Sequence, residues 1–66
     1  MSATHLARLL DERNQLDDRY IHLMNFISSE LWDKVNPEEQ SRLSRQAKLM
    51  DLLLEVLDER LKASKD

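Results

Sequence analysis

The 66-residue sequence contains no glycine and a single proline, Pro37, near its middle. Glycine supplies most tight turns and the left-handed residue that ends many helices, so a chain without it has few ways to reverse direction. The segment Asn36-Pro37-Glu38-Glu39 is its clearest turn signal. Asparagine favours a helix N-cap, proline favours the first helical position, and Glu39 lies where a capping-box carboxylate reaches back. The sequence therefore predicts a helix that begins at Pro37.

On both sides of this turn, apolar residues recur three and four positions apart, as one face of an α-helix requires. The spacing predicts helix 1 over about 3–34, a turn at 35–36 and helix 2 over about 37–63. Ser28 and Ser29 favour local hydrogen bonds to the backbone, so helix 1 either breaks at 28–29 or continues through them. The two stripes are Leu6, Leu9, Leu10, Leu16, Tyr20, Leu23, Met24, Ile27 and Leu31, and then Leu43, Ala47, Met50, Leu53, Leu54, Leu57 and Leu61.

So short a connection predicts an all-α fold in which one domain, 1–66, forms an antiparallel two-helix hairpin. With the turn at 35–36, Leu10 lies near Leu61 and Arg13 lies level with Asp58. Arg13 interrupts the first apolar stripe. An ion pair with Asp58 would offset the cost of placing a charge in an apolar seam between the helices.

Composition excludes several classes of protein. The chain has no cysteine, so disulfides and thiolate chemistry are excluded. Its net charge of −3 gives no overall attraction to duplex nucleic acid or anionic lipid. No apolar run approaches the roughly 18 residues of a membrane span, and the N-terminus lacks the pattern of a signal peptide. These features predict a cytoplasmic protein that binds neither membranes nor duplex nucleic acid.

Groups that could carry catalysis are sparse. His5 and His22 are too far apart to share a helix face, and Asp18 with His22 supplies two metal ligands without a third. Phosphate-binding loops need glycine, which is absent. We therefore predict no catalytic residues, no metal site, no cofactor and no enzymatic activity.

Both helices carry more apolar surface than a single partner helix covers. A patch of this kind usually marks an interface, and two short helices rarely form a stable core alone. The sequence predicts that the hairpin assembles into a homo-oligomeric helical bundle; the alternative is that the same surface binds a different protein. The predicted interface residues are Ile21, Phe26, Trp32, Leu49, Leu52 and Val56.

Charge is distributed unevenly along helix 2, whose first half is basic and whose second half is acidic. Helix 1 has further basic groups at a similar height, so symmetric assembly would build a cationic pocket for phosphates, with Tyr20 or Trp32 stacking on a base. The alternative is a solvated surface with ordinary pairs such as Glu38–Arg42 and Asp58–Lys62. The candidate ligand-binding residues are Arg19, Tyr20, His22, Arg42, Arg45 and Lys48.

One pattern of residues spans most of the chain. It comprises Arg8, Glu12, Leu16, Leu23, Phe26, Ile27, Glu39, Leu43, Gln46, Met50, Val56, Leu57 and Arg60. This pattern resembles that of the small helical-hairpin accessory proteins of bacteriophages and prophages. At position 53, where that family's pattern has an aromatic residue, this chain has Leu53.

The resemblance implies a noncatalytic accessory protein that interferes with a host defence or host enzyme in a bacterial cell. Two mechanisms are consistent with it, namely direct contact with a host protein and sequestration of a cyclic nucleotide used in signalling. A purely structural oligomerisation module is the alternative function.

Overall fold

The computed structural model describes residues 3–64, which form two long helices and a short one. Helix α1 spans Ala3–Ile27, a 3₁₀ helix spans Glu30–Lys34, and helix α2 spans Pro37–Ser64. The long helices pack side by side in opposite directions, and the molecule measures 46 × 14 × 13 Å. The predicted all-α hairpin is therefore confirmed.

The core of the hairpin is a narrow seam between α1 and α2. Four apolar residues are buried there, and Leu57, with 1% of its surface exposed, is the most enclosed of them. Two helices bury only the stripe along which they touch, so most apolar residues keep one side in solvent. The four buried residues are Leu9, Ala47, Leu54 and Leu57.

Four predicted seam residues are exposed instead. Leu10, Met24 and Leu53 are 49%, 37% and 46% exposed, because they lie at the margins of stripes that are wider than the contact between two helices. Leu31 is 56% exposed, because α1 ends at Ile27. Leu31 lies in the 3₁₀ helix that follows, so its side chain no longer continues the apolar stripe of α1. The prediction that these residues are buried in the seam is wrong.

Helix α1 ends without a left-handed residue, since no residue in the described part of the chain has a positive φ. The chain leaves the helix through Ser29, whose amide and hydroxyl both donate to the carbonyl of Phe26, at 3.1 and 2.7 Å. These bonds satisfy a carbonyl that has no partner within the helix. Ser29 itself is extended, at φ −88° and ψ 167°, and directs the chain into the 3₁₀ helix.

The start of α2 follows the capping signal in the sequence. The side-chain oxygen of Asn36 accepts a hydrogen bond from the amide of Glu39 at 2.8 Å, which confirms Asn36 as the N-cap. The carboxylate of Glu39 does not complete a capping box; it accepts a hydrogen bond from Nε of Arg42 at 2.7 Å. The side-chain amide of Gln40 donates to the carbonyl of Trp32 at 2.8 Å and so fastens α2 to the 3₁₀ helix.

An ion pair joins the two helices. Nε of Arg13 lies 2.9 Å from a carboxylate oxygen of Asp58, as predicted, and a second nitrogen lies 3.5 Å from Asp17. The pair lies at the edge of the seam, with Asp58 53% exposed, so the expectation of an enclosed charge is wrong. The hydrogen bond that the Arg13 guanidinium donates to Asp58 favours the charged form and raises the pKa of Arg13 above its ordinary value.

We predict that Leu57→Ala lowers the free energy of unfolding by about 2–5 kcal/mol, because it removes the most buried side chain and leaves a cavity. Leu31→Ala is the matched control, since it removes the same atoms from an exposed site and is expected to cost at most about 0.5 kcal/mol. Urea unfolding followed by circular dichroism, at one protein concentration, measures both. Equal losses in the two variants would contradict the assignment of the core.

We also predict that Asp58→Asn lowers the urea midpoint at low ionic strength, because it removes the carboxylate that holds Arg13. The loss should largely disappear in about 1 M NaCl, where a partly exposed ion pair is screened. Asp51→Asn is the control, because the carboxylate of Asp51 has no ion pair within residues 3–64. A loss from Asp58→Asn that is unchanged by salt would contradict the electrostatic explanation.

Candidate ligand groove at the open end of the hairpin

A groove of about 210 Å³ lies at the open end of the hairpin, where α1 begins and α2 ends. Arg8 and Glu12 are one turn apart on α1, and Arg60 approaches from α2. The antiparallel register brings them together, since residues that precede Arg13 on α1 lie level with residues that follow Asp58 on α2. The buried side chain of Leu9 and the ring of His5 complete the lining.

The groove has an excess of positive charge. Within residues 3–64, neither the Arg8 guanidinium nor the Arg60 guanidinium has a hydrogen-bond or ion-pair partner, whereas Arg13 and Arg42 are both paired. Glu12 is the one carboxylate that lines the groove. A guanidinium presents several donors in a plane that matches phosphate and carboxylate oxygens, so two unpaired guanidiniums at one depression favour an anionic ligand.

The size of the groove limits what one chain holds. Pockets that enclose a whole small molecule usually measure about 300–1,000 Å³, and this groove is smaller and open on one side. One hairpin therefore has room for a phosphate group and its immediate neighbours. A ligand as large as a nucleotide would need further walls from a second chain.

The six candidate ligand-binding residues do not all share one surface of the hairpin. Arg45 and Lys48 line a second depression of about 180 Å³ on the outer side of α2, together with Leu49 and Leu52. Arg42 is held by Glu39, and Tyr20 is half-buried in the seam. Arg19 and His22 are exposed on α1.

The six candidate interface residues divide into two groups. Leu49 is 66% exposed, and Leu52 and Val56 are each 47% exposed, on the side of α2 away from α1. Ile21 is 48% exposed on α1. Phe26 and Trp32 are half-buried, because their rings pack edge to face with centroids 6.1 Å apart and close the turn end of the hairpin. The exposed apolar surface of α2 is thus broader than that of α1.

Analysis of the sequence did not select Arg8, Glu12 or Arg60 as site residues. All three belong to the pattern of residues that spans most of the chain, but nothing in their local spacing marks them as functional. The available signal was the register: once Arg13 is placed opposite Asp58, cations at 8 and 60 lie near each other across the seam. The charge gradient along α2 drew attention to its basic half instead.

Among the residues that the structure describes, no group of three histidine, aspartate or glutamate side chains lies close enough to bind a metal ion. Neither α1 nor α2 combines the length and the apolar content that a helix needs to cross a bilayer.

Comparison with known proteins identifies the family. The family model described as Sequestin matches residues 3–63, which is nearly the whole chain. The chain therefore belongs to the Sequestin family. No curated protein and no solved structure matches it.

Proposed function

We propose that this Sequestin family member is a noncatalytic binding protein that sequesters a small phosphate-bearing molecule, of the class of signalling nucleotides, and works as a homo-oligomer. The observation that carries the proposal is the groove in which Arg8 and Arg60, on different helices, are both unpaired. The family name, which describes a sequestering protein, supports the same role.

The groove chemistry is suited to holding a ligand. The two guanidiniums supply donors for phosphate oxygens, and Glu12 supplies an acceptor for a ligand hydroxyl or amine. The small volume of the groove supports oligomeric action, because a second chain would supply the walls that one hairpin lacks. Sequestration needs tight binding and slow release. Two guanidiniums that contact the same ligand in a partly enclosed site provide both.

The setting is part of the same proposal. We place the protein in the cytoplasm of a bacterial cell, where a bacteriophage accessory protein would lower the concentration of a nucleotide used in defence signalling. The resemblance of the sequence pattern to phage accessory proteins supports this setting. Contact with a host protein is the competing mechanism, and the exposed side chains of Leu49, Leu52 and Val56 are the surface it would use.

Isothermal titration calorimetry with cyclic mono- and dinucleotides, and with inorganic phosphate as a minimal probe, tests the proposal. We expect at least one nucleotide to bind, and we expect Arg8→Ala and Arg60→Ala each to weaken its binding about tenfold or more, because each removes a charged hydrogen bond. The affinity should also fall as salt is raised. Lys34→Ala, which removes an exposed cation near the turn, is the control and should bind normally.

Each other outcome has a defined meaning. If no nucleotide in the panel gives heat, the sequestration of a signalling nucleotide is wrong. If a nucleotide binds the parent protein, and Arg45→Ala and Lys48→Ala abolish that binding while Arg8→Ala does not, the ligand lies at the basic half of α2. A chain that binds no nucleotide and recovers only itself from a host lysate would favour the structural oligomerisation module, to which the exposed surface of α2 is also suited.

A further inference from the structure

The outer side of α2 has the pattern of a coiled-coil seam. Residues on this side follow spacings of four, three, four and three, which is the repeat of a helix that packs along another helix. Leu54 and Leu57, which are buried against α1, lie on the opposite side of α2. Helix α2 therefore carries two packing faces, of which α1 occupies one. We call the other the outer stripe, and it comprises Arg45, Leu49, Leu52, Val56 and Glu59.

The outer stripe contains a hole of the shape that coiled coils use. The depression of about 180 Å³ on α2 is lined by Arg45, Lys48, Leu49 and Leu52. These four residues stand at positions i, i+3, i+4 and i+7, which is the set that forms a hole for a knob side chain from a facing helix. Its walls include the most exposed large apolar residue of those described, Leu49, at 66%.

The charges along α2 determine in which direction a second α2 helix can pack against this hole. The rim of the hole is cationic, through Arg45 and Lys48. Two acidic residues follow on the same helix: Glu55 lies about two turns after Lys48, and Glu59 lies about four turns after Arg45. A second α2 in the parallel direction would place like charges together. A second α2 in the antiparallel direction would place the acidic half of each helix beside the basic half of the other.

We propose that the outer stripe is the self-association surface of this protein, on which the α2 helices of two copies pack antiparallel about a two-fold axis between Leu49 and Leu52. Leu52 of each copy enters the hole of the other. Lys48 then lies beside Glu55 of the second copy, and Arg45 lies near its Glu59. The contact is isologous, so each ion pair occurs twice.

The amount of exposed surface agrees with a dimer. The accessible surface of the hairpin is 5254 Å², whereas a compact monomer of its mass, 7.8 kDa, exposes about 4,400 Å². The excess, roughly 900 Å², is close to the roughly 800 Å² that each partner buries in a stable interface. A four-helix bundle formed by two hairpins would bury surface of this order.

This inference deepens the homo-oligomeric part of the proposed function and does not depend on the ligand. Light scattering after size exclusion should give twice the chain mass for the parent protein and the chain mass for Leu52→Glu. Leu31→Glu is the matched control, because Leu31 is an exposed leucine, at 56%, that lies in the 3₁₀ helix and not on the outer stripe; this variant should remain dimeric. A monomeric parent at about 100 µM, or a dimer that survives Leu52→Glu but not Leu31→Glu, would overturn the proposal.

Charge reversal tests the antiparallel direction without changing apolar surface. Lys48→Glu and Glu55→Lys should each raise the dissociation constant about tenfold, and the double variant should return it close to that of the parent, since the pairs are rebuilt across the interface. Failure of the double variant to recover would exclude this register.

Disulfide trapping gives an independent readout, because the chain has no cysteine of its own. A mixture of Leu49→Cys and Leu52→Cys chains should oxidise to a mixed disulfide more readily than either variant alone. Parallel helices would instead favour disulfides between identical variants. A monomer that still binds nucleotide would overturn this inference and the homo-oligomeric part of the proposed function, and would leave the sequestration of a nucleotide standing. A dimer that binds no nucleotide would overturn the sequestration proposal alone.

Discussion

The packing of α1 against α2 along Leu9, Leu54 and Leu57 holds the hairpin together, and its narrowness explains much of the remaining structure. Two helices touch along one stripe, so four apolar side chains in the described residues are buried while eight large apolar residues stay exposed. Hydrophobic burial is the main favourable term in folding, and a chain that buries so little has little margin of stability by itself. The exposed apolar residues of α2 are consistent with a fold that is completed by association.

The polar contacts around this core contribute little to stability. Their main effect is on where the charged side chains lie. The Arg13–Asp58 pair is partly exposed, so it contributes little to stability, and it lies at one level of the register in which the two helices pack. That register brings Arg8 and Arg60 to the same groove at the open end, where no carboxylate of the described residues pairs with either of them. At the turn end, the cation Arg42 is paired with Glu39. The two ends of the hairpin therefore differ in chemistry, and the open end is the more suitable for an anion.

The proposed self-association and the proposed ligand site use different parts of the molecule. The outer stripe lies along the solvent side of α2, whereas the groove lies between the first turns of α1 and the last turns of α2. A two-fold dimer built on the outer stripe leaves one groove near each end of the bundle.

The sequence alone determined the helices, the N-cap at Asn36 and the level of Arg13 with Asp58, because apolar periodicity, capping and turn length act over short distances along the chain. It also indicated that α2 has an outer apolar face, since Leu49, Leu52 and Val56 fall outside the first stripe. Only the tertiary structure decided that Leu10, Leu31 and Leu53 stay exposed and that Phe26 packs on Trp32. The grouping of Arg8 with Arg60 was also decided there. These features depend on how wide the contact between the helices is and on which flanks lie together, and side-chain packing between distant segments sets both.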